Sequence, residues 1–205
     1  FRRVLFRSLP VPLQGLLQGP AGNPQALAVN CAQAGVHDVA QASRLASALL
    51  PTVSDTFAAD NTPADMEAYV AAAFGEAQQA AELADPHTRV LIAEIGGEAV
   101  GYVRLITGPA PARVAAQRPM EISRFYARTT WIGRGVGAAL MTRALEDARA
   151  NGCDVAWLGV WERNLRAIAF YERWGFRAVG EQVFVLGSDP QRDLVMVRAV
   201  SPLPA

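Results

Sequence analysis

Two hydrophobic periods divide the chain. Between residues 62 and 84 apolar side chains recur at helical spacing, with Met66, Tyr69, Val70 and Phe74 on one face. Thr62-Pro63-Ala64-Asp65 opens this helix with a capping hydroxyl, a proline in the first turn and an acid at its positive end. Gly75 interrupts an alanine-rich continuation to about Ala84. An earlier helix is predicted from Asp38 to Leu50, with Val39, Leu45, Leu49 and Leu50 on one side and Pro51 ending it. Leu27 to Cys31 predicts a short strand before it.

From Val90 the pattern becomes that of strands. Val90 to Ile95 and Ala99 to Thr107 flank Gly96-Gly97, which predicts a β-hairpin with a primed turn. Gly108 to Pro119, rich in proline, predicts a loop. Strands are predicted at Met120–Ala127, Val155–Val160, Arg177–Leu186 and Leu194–Val200, the last two joined by a turn around Gly187 to Pro190. Helices are predicted between them. Val136–Ala150 buries Val136, Leu140, Met141, Leu145 and Ala148, and Asn151-Gly152 ends it. Asn164 caps a helix to Trp174, which Gly175 ends. The order is helices, a hairpin, then βαβαββ: one mixed α/β (α+β) domain without internal repeats.

Composition narrows the function classes. The chain has 205 residues, 51% of them hydrophobic, enough for one domain with a full core. Lys+Arg and Asp+Glu number 19 each, so no basic excess points to nucleic acid or an anionic membrane. No apolar run reaches the length of about 18 residues that a spanning helix needs. Cys31 and Cys153 are far apart and read as small buried hydrophobes. His37 and His87 have no second ligand nearby in sequence, so no metal is expected. Residues 1 to about 25, with Pro10, Pro12, Gly15, Gly19, Pro20, Gly22 and Pro24, read as a disordered or non-native lead-in, leaving a domain over 26–201. Alternating Arg, Val, Leu and Phe at its start leaves a membrane-surface segment as the other reading.

Two motifs carry chemistry. Gly133-Arg134-Gly135-Val136-Gly137 lies between a strand and a helix. Glycines allow backbone amides to approach an anion, and the helix adds its positive end. The same residues also suit a plain packing turn. No Gly-Lys-Ser/Thr is present for a Walker loop. A dinucleotide fold would need an acid at the end of the next strand, whereas Asp154 precedes it. The second motif runs from Asn164 to Phe176 and, as structure alone, is an amphipathic helix with Ile168, Phe170, Tyr171 and Trp174 partly buried.

The ordered pair, one strand apart, resembles the GNAT acetyltransferase superfamily. Its motif A, Gln/Arg-x-x-Gly-x-Gly/Ala, is matched at Gly135 and Gly137, with Ile132 standing at the first position. Its motif B, Asn-x-x-Ala-x-x-(Phe/Leu)-Tyr-x-x-x-Gly-Phe, is matched from Asn164 through Ala167 and Tyr171 to Gly175-Phe176. The PaiA-type polyamine acetyltransferases are a closer likeness, spanning roughly Val36 to Val200. It rests on Asp55-Thr56-Phe57, Thr62-Pro63 with Met66 and Tyr69, Glu121-Ile122-Ser123-Arg124-Phe125-Tyr126, Trp157 to Asn164, and Gln191-Arg192-Asp193-Leu194-Val195-Met196.

The resemblance implies a single domain whose central sheet is mixed and mostly antiparallel, with about six or seven strands flanked by helices. Two central parallel strands would splay into a slot. It implies acetyl-CoA as cosubstrate, no metal, and direct acetyl transfer to a primary amine, a polyamine or similar small amine. The pantetheine arm would pair with Phe125, Tyr126 and Ala127. The diphosphate would rest on Gly133, Arg134, Gly135, Val136, Gly137 and Ala138. Asn164, Arg166 and Arg173 would complete the coenzyme site.

Tyr171 matches the general acid that protonates the departing thiolate. Glu121 is the first choice of base and Glu162 the second. Related sequences tend to carry a further acid where Ser123 stands. A long cation calls for carboxylates and aromatic faces, for which Asp55, Phe57, Tyr69 and Trp161 are candidates. The expected partners are acetyl-CoA and a small amine, with no nucleic acid or membrane, in a cytoplasmic protein that is open to homodimer formation. The alternatives are a peptide N-terminus or an amine drug as acceptor, and a non-catalytic coenzyme-binding regulator.

Overall fold

The computed structural model describes residues 30–33, 62–186 and 188–200. The lead-in, the helix predicted from Asp38, and Asp55 and Phe57 lie outside the described residues. The described chain runs β1 (Asn30–Gln33), α1 (Pro63–Phe74), α2 (Glu76–Ala84), β2 (Thr88–Ile95), β3 (Glu98–Thr107), β4 (Pro119–Ala127), a 3-10 turn (Thr129–Trp131), α3 (Val136–Ala150), β5 (Val155–Trp161), α4 (Leu165–Arg173), β6 (Arg177–Leu186) and β7 (Asp189–Ala199). The strands form one sheet in the order β1-β2-β3-β4-β5-β7-β6. Only β4 and β5 are parallel; every other pair is antiparallel.

Local chemistry sets most boundaries. The Thr62 hydroxyl accepts the Asp65 N–H, and Pro63 begins α1. Gly96 and Gly97, both at positive φ, turn β2 into β3. Asn164 Oδ1 accepts the Ala167 N–H and starts α4. Two boundaries need correction. The first strand runs on to Gln33 rather than ending at Cys31. β7 begins at Asp189 rather than Leu194, because Leu186 pairs directly with Asp189 and the hairpin stays tight. On this side β5 reaches only to Asp193, so the missing N–H of Pro190 costs no bond to β5.

Helix α3 covers one sheet face. Val136, Leu140, Met141, Leu145 and Ala148 pack with Val103, Leu105, Ile122, Phe125 and Leu158 in the larger core. Each large apolar side chain fully buried there contributes about 2 kcal/mol. Helices α1 and α2 lie over the other face, where Met66, Tyr69, Phe74 and Leu83 meet Tyr102, Tyr126, Trp161 and Phe184. The loop before β4 contributes Val114 to a third cluster with Trp157, Val195 and Val197. No helix among the described residues is long and apolar enough to cross a membrane.

The seat of α3 is tight at Gly101 on β3. A Cβ there would stand 2.7 Å from the Tyr126 carbonyl and 3.1 Å from Val136. Gly101→Val is therefore expected to lower stability by about 2–3 kcal/mol, because both neighbours belong to rigid elements. Urea unfolding of the variant against the parent chain measures this.

Candidate active site

The site begins where two strands part. β4 and β5 pair at Pro119–Val155, Met120–Ala156 and Glu121–Trp157, and at no residue beyond. Past that point β4 keeps its bonds to β3 only. An extra residue, Ser123, enters β4 there, since Arg104 pairs with Arg124 and Leu105 with Ile122. Such a bulge bends a strand and increases its twist. It also resets the side-chain alternation. Phe125 and Ala127 enter the core beneath α3, and Tyr126 enters the core beneath α1. Phe125, Tyr126 and Ala127 thus lie on the stretch of β4 from which β5 has diverged.

The glycine-rich turn follows at the open end of the slot. Gly133 (φ 78°) and Gly135 (φ 89°) both take left-handed torsions, and Gly135 caps α3 without a side-chain bond. The first amides of a helix have no intrahelical acceptor. With no capping side chain, those of Val136, Gly137 and Ala138 are left for a ligand. Gly133, Gly135, Gly137 and Ala138 form one wall of a pocket of about 170 Å³, and Arg166, Phe170 and Arg173 form the other. Burial, then the charge of Arg173, lowers the Arg166 pKa from its usual value. Two guanidiniums facing a helix start make a site for an anion such as a diphosphate. Arg134 stacks over Trp131, with 5.4 Å to the ring centroid.

Helix α4 supplies two buried polar groups. Asn164 spends its carbonyl oxygen on the cap, while its Nδ2 is buried without a hydrogen-bond partner. The Tyr171 hydroxyl is likewise buried without a partner. Its ring is fully buried and meets Phe125, Phe170 and Phe176 edge-on, with centroids 6.3, 5.4 and 5.8 Å away. Burial pushes the Tyr171 pKa well above 10, so the hydroxyl keeps its proton. An unmet donor inside a protein costs about 1–3 kcal/mol. Two of them on one helix mark places where a ligand's acceptors fit. These orphans, the glycine turn and the paired guanidiniums together suit a coenzyme with an amide-bearing arm and a diphosphate.

The candidate bases differ in setting. Glu121 lies at the last β4–β5 pair, where the slot opens, and its charge bears on Arg104. Glu162 follows β5 and accepts from Arg192 Nε at 2.6 Å, and Arg192 also meets Glu181 at 3.0 Å. Tyr69 and Trp161 join the same cluster over Tyr126. Tyr69 is edge-on to Phe74 and Phe184, and Arg163 lies 6.0 Å from the Trp161 ring centroid.

Sequence reasoning missed a polar layer beneath α1 and α2. Gln79, Glu82, Arg104 and Arg124 are all buried there. Arg124 Nη1 donates to Glu82 Oε2 at 2.8 Å and its Nη2 to Oε1 at 3.2 Å. Burial and the Arg124 charge bring the Arg104 pKa down to about 10. The available signal was a pair of arginines, Arg104 and Arg124, in the middle of largely apolar strands.

Similar proteins agree with this geometry. The acetyltransferase (GNAT) family profile matches residues 50–176. An uncharacterized N-acetyltransferase of Lactobacillus delbrueckii subsp. lactis is 36% identical over 149 residues, covering 73% of this chain and 86% of the relative. One from Mycobacterium tuberculosis is 37% identical over 136 residues, covering 66% and 83%. Among solved structures, the PaiA N-acetyltransferase from Thermoplasma acidophilum in complex with coenzyme A superposes with a TM-score of 0.65 at 15% identity. That likeness covers 83% of this chain and 98% of the other, and it speaks to the fold alone. The parted strands, the glycine turn before α3 and the buried groups of α4 thus have their explanation in ancestry: the chain belongs to the GNAT acetyltransferase family.

Proposed function

We propose that this chain transfers the acetyl group of acetyl-CoA directly to the primary amine of a small molecule, a polyamine or an amine of similar size. The observation that carries this reading is the Tyr171 hydroxyl, buried and without a partner on a helix that begins at the equally unmet Asn164 amide. Acetyl-CoA supplies an activated thioester. The chain's own residues must bind it, orient it, and handle two protons.

Asn164 Nδ2 offers a hydrogen bond to a carbonyl of the pantetheine arm. The edge of β4 at Phe125, Tyr126 and Ala127 would pair with that arm, and a backbone amide there suits the thioester oxygen. Gly133, Arg134, Gly135, Val136, Gly137 and Ala138 hold phosphate, with Arg166 and Arg173 facing them. Tyr171 holds a proton on Oη for the departing sulfur, and its raised pKa keeps that proton in place. An ammonium has no lone pair, so the amine must first lose a proton. Glu121, at the closed end of the slot where β4 and β5 part, is our first choice for this, through water. Glu162 is the second choice, because its carboxylate is held by Arg192.

On our reading the acceptor lies beside the buried aromatic cluster of Tyr69, Tyr126 and Trp161. Aromatic faces suit an alkylammonium chain. This favours a small amine.

Acetyl-CoA consumption, read as thiol release over a panel of spermidine, spermine, aliphatic diamines, amine antibiotics and N-terminal peptides, tests the reading. Turnover is expected with the small amines. Turnover with peptides alone overturns the acceptor class, and none with any amine overturns catalysis.

Tyr171→Phe should lower kcat by about a hundredfold or more, as expected for loss of a general acid, while calorimetry shows coenzyme A binding nearly unchanged. Turnover equal to the parent's would remove Tyr171 from the mechanism. The sign of its pKa shift also sets the pH profile: the acid stays protonated as pH rises, so Tyr171 causes no alkaline loss of rate up to about pH 10. Replacing both Arg166 and Arg173 by Ala should weaken coenzyme A binding by about tenfold or more, and the difference should shrink as salt is added.

A further inference from the structure

Arg124 belongs to two parts of the molecule at once. Its backbone sits just past the bulge at Ser123, on the stretch of β4 that β5 has left. Its side chain runs beneath α1 and α2. There α1 ends at Phe74, and the carbonyls of a last helical turn have no intrahelical donor. Ala73 O accepts from Arg124 Nη2, and Phe74 O accepts from Gln79 Nε2 at 2.6 Å. The same guanidinium grips both oxygens of Glu82 on α2 and lies 4.6 Å from the Phe74 ring centroid. Gln78 adds a bond to Glu82 at 2.7 Å. The C-terminal end of α1 is thus capped by a strand residue.

If stability were the only return, an apolar cluster would serve as well, since buried ion pairs are often no better than hydrophobic replacements. A bidentate pair does more for geometry, because it fixes direction as well as distance.

We infer that Arg124 is a positioning residue for acetyl transfer, holding α1 and α2 in register with the strand edge that takes the coenzyme arm. The inference rests on the reading above, in which α1 walls the amine side through Tyr69. Coenzyme on the β4 edge then firms the helices, and the helices place the amine against the acetyl carbon.

Hydrogen exchange over residues 63–84, with and without coenzyme A, tests the link in the parent chain and in Arg124→Lys, which keeps the charge and loses the fork. In the parent, coenzyme A should slow exchange there by about threefold or more. In Arg124→Lys this response should vanish, although calorimetry still shows coenzyme A binding. A merely structural role would speed exchange in both states and preserve the response.

The inference is overturned if the parent helices do not respond, or if the variant responds as the parent does. If Arg124→Lys does not fold, Glu82→Gln, which keeps shape and removes charge, carries the same comparison. With spermidine as the probe amine, the KM for amine should rise about tenfold while that for acetyl-CoA holds. An unchanged amine KM also overturns the inference. No spermidine turnover in the parent counts against the acceptor class, and the exchange comparison still decides the role of Arg124.

Discussion

The parting of β4 from β5 is the constraint on which the rest of this structure depends. Two parallel strands that paired along their full length would spend all the backbone groups on their facing edges on each other. Here pairing stops after Glu121 and Trp157, and the bulge at Ser123 turns the rest of β4 away. The sheet survives because each strand has another neighbour, β3 for β4 and β7 for β5. A gap in the middle of the sheet is thus bought without loosening either half. It leaves a backbone edge inside the protein, and such an edge is costly unless something completes it.

Helix α4 meets that gap with groups that are also incomplete. Asn164 divides its amide, one atom capping the helix and the other unmet. Tyr171 is fixed by three aromatic rings and has no acceptor for its hydroxyl. The aromatic cage explains both its rigidity and its raised pKa, since the same rings exclude water. Opposite them, α3 opens on Gly135 and presents bare amides toward Arg166 and Arg173.

The other sheet face follows a different logic. α3 sits on its side mainly through apolar packing, with Gly101 allowing close approach and Asp147 paired with Arg89 of β2. α1 and α2 add a buried polar clamp through Arg124, Glu82 and Gln79. Packing alone tolerates small slips, whereas a forked ion pair with a helix carbonyl does not. The clamp lies where a slip would move Tyr69 relative to the slot.

The sequence by itself determined most of the described elements and the family, and it singled out two motifs as the candidate coenzyme site. Helix caps at Thr62 and Asn164, the Gly96-Gly97 turn and the amphipathic face of α3 are local effects, written in consecutive residues. The glycine turn and the Asn164–Tyr171 helix were legible for the same reason, because each motif lies within one turn or helix. The start of β7 was not, since the pairing of Leu186 with Asp189 outweighs the breaker residues between them. Only the tertiary structure decided that Glu162 is held by Arg192 while Glu121 stands at the closed end of the slot, where β4 and β5 part. It alone joined Arg124 to Ala73 and Glu82, residues far apart in the chain. Such contacts depend on which strands adjoin and which helix crosses which face, and no local pattern of residues encodes that meeting.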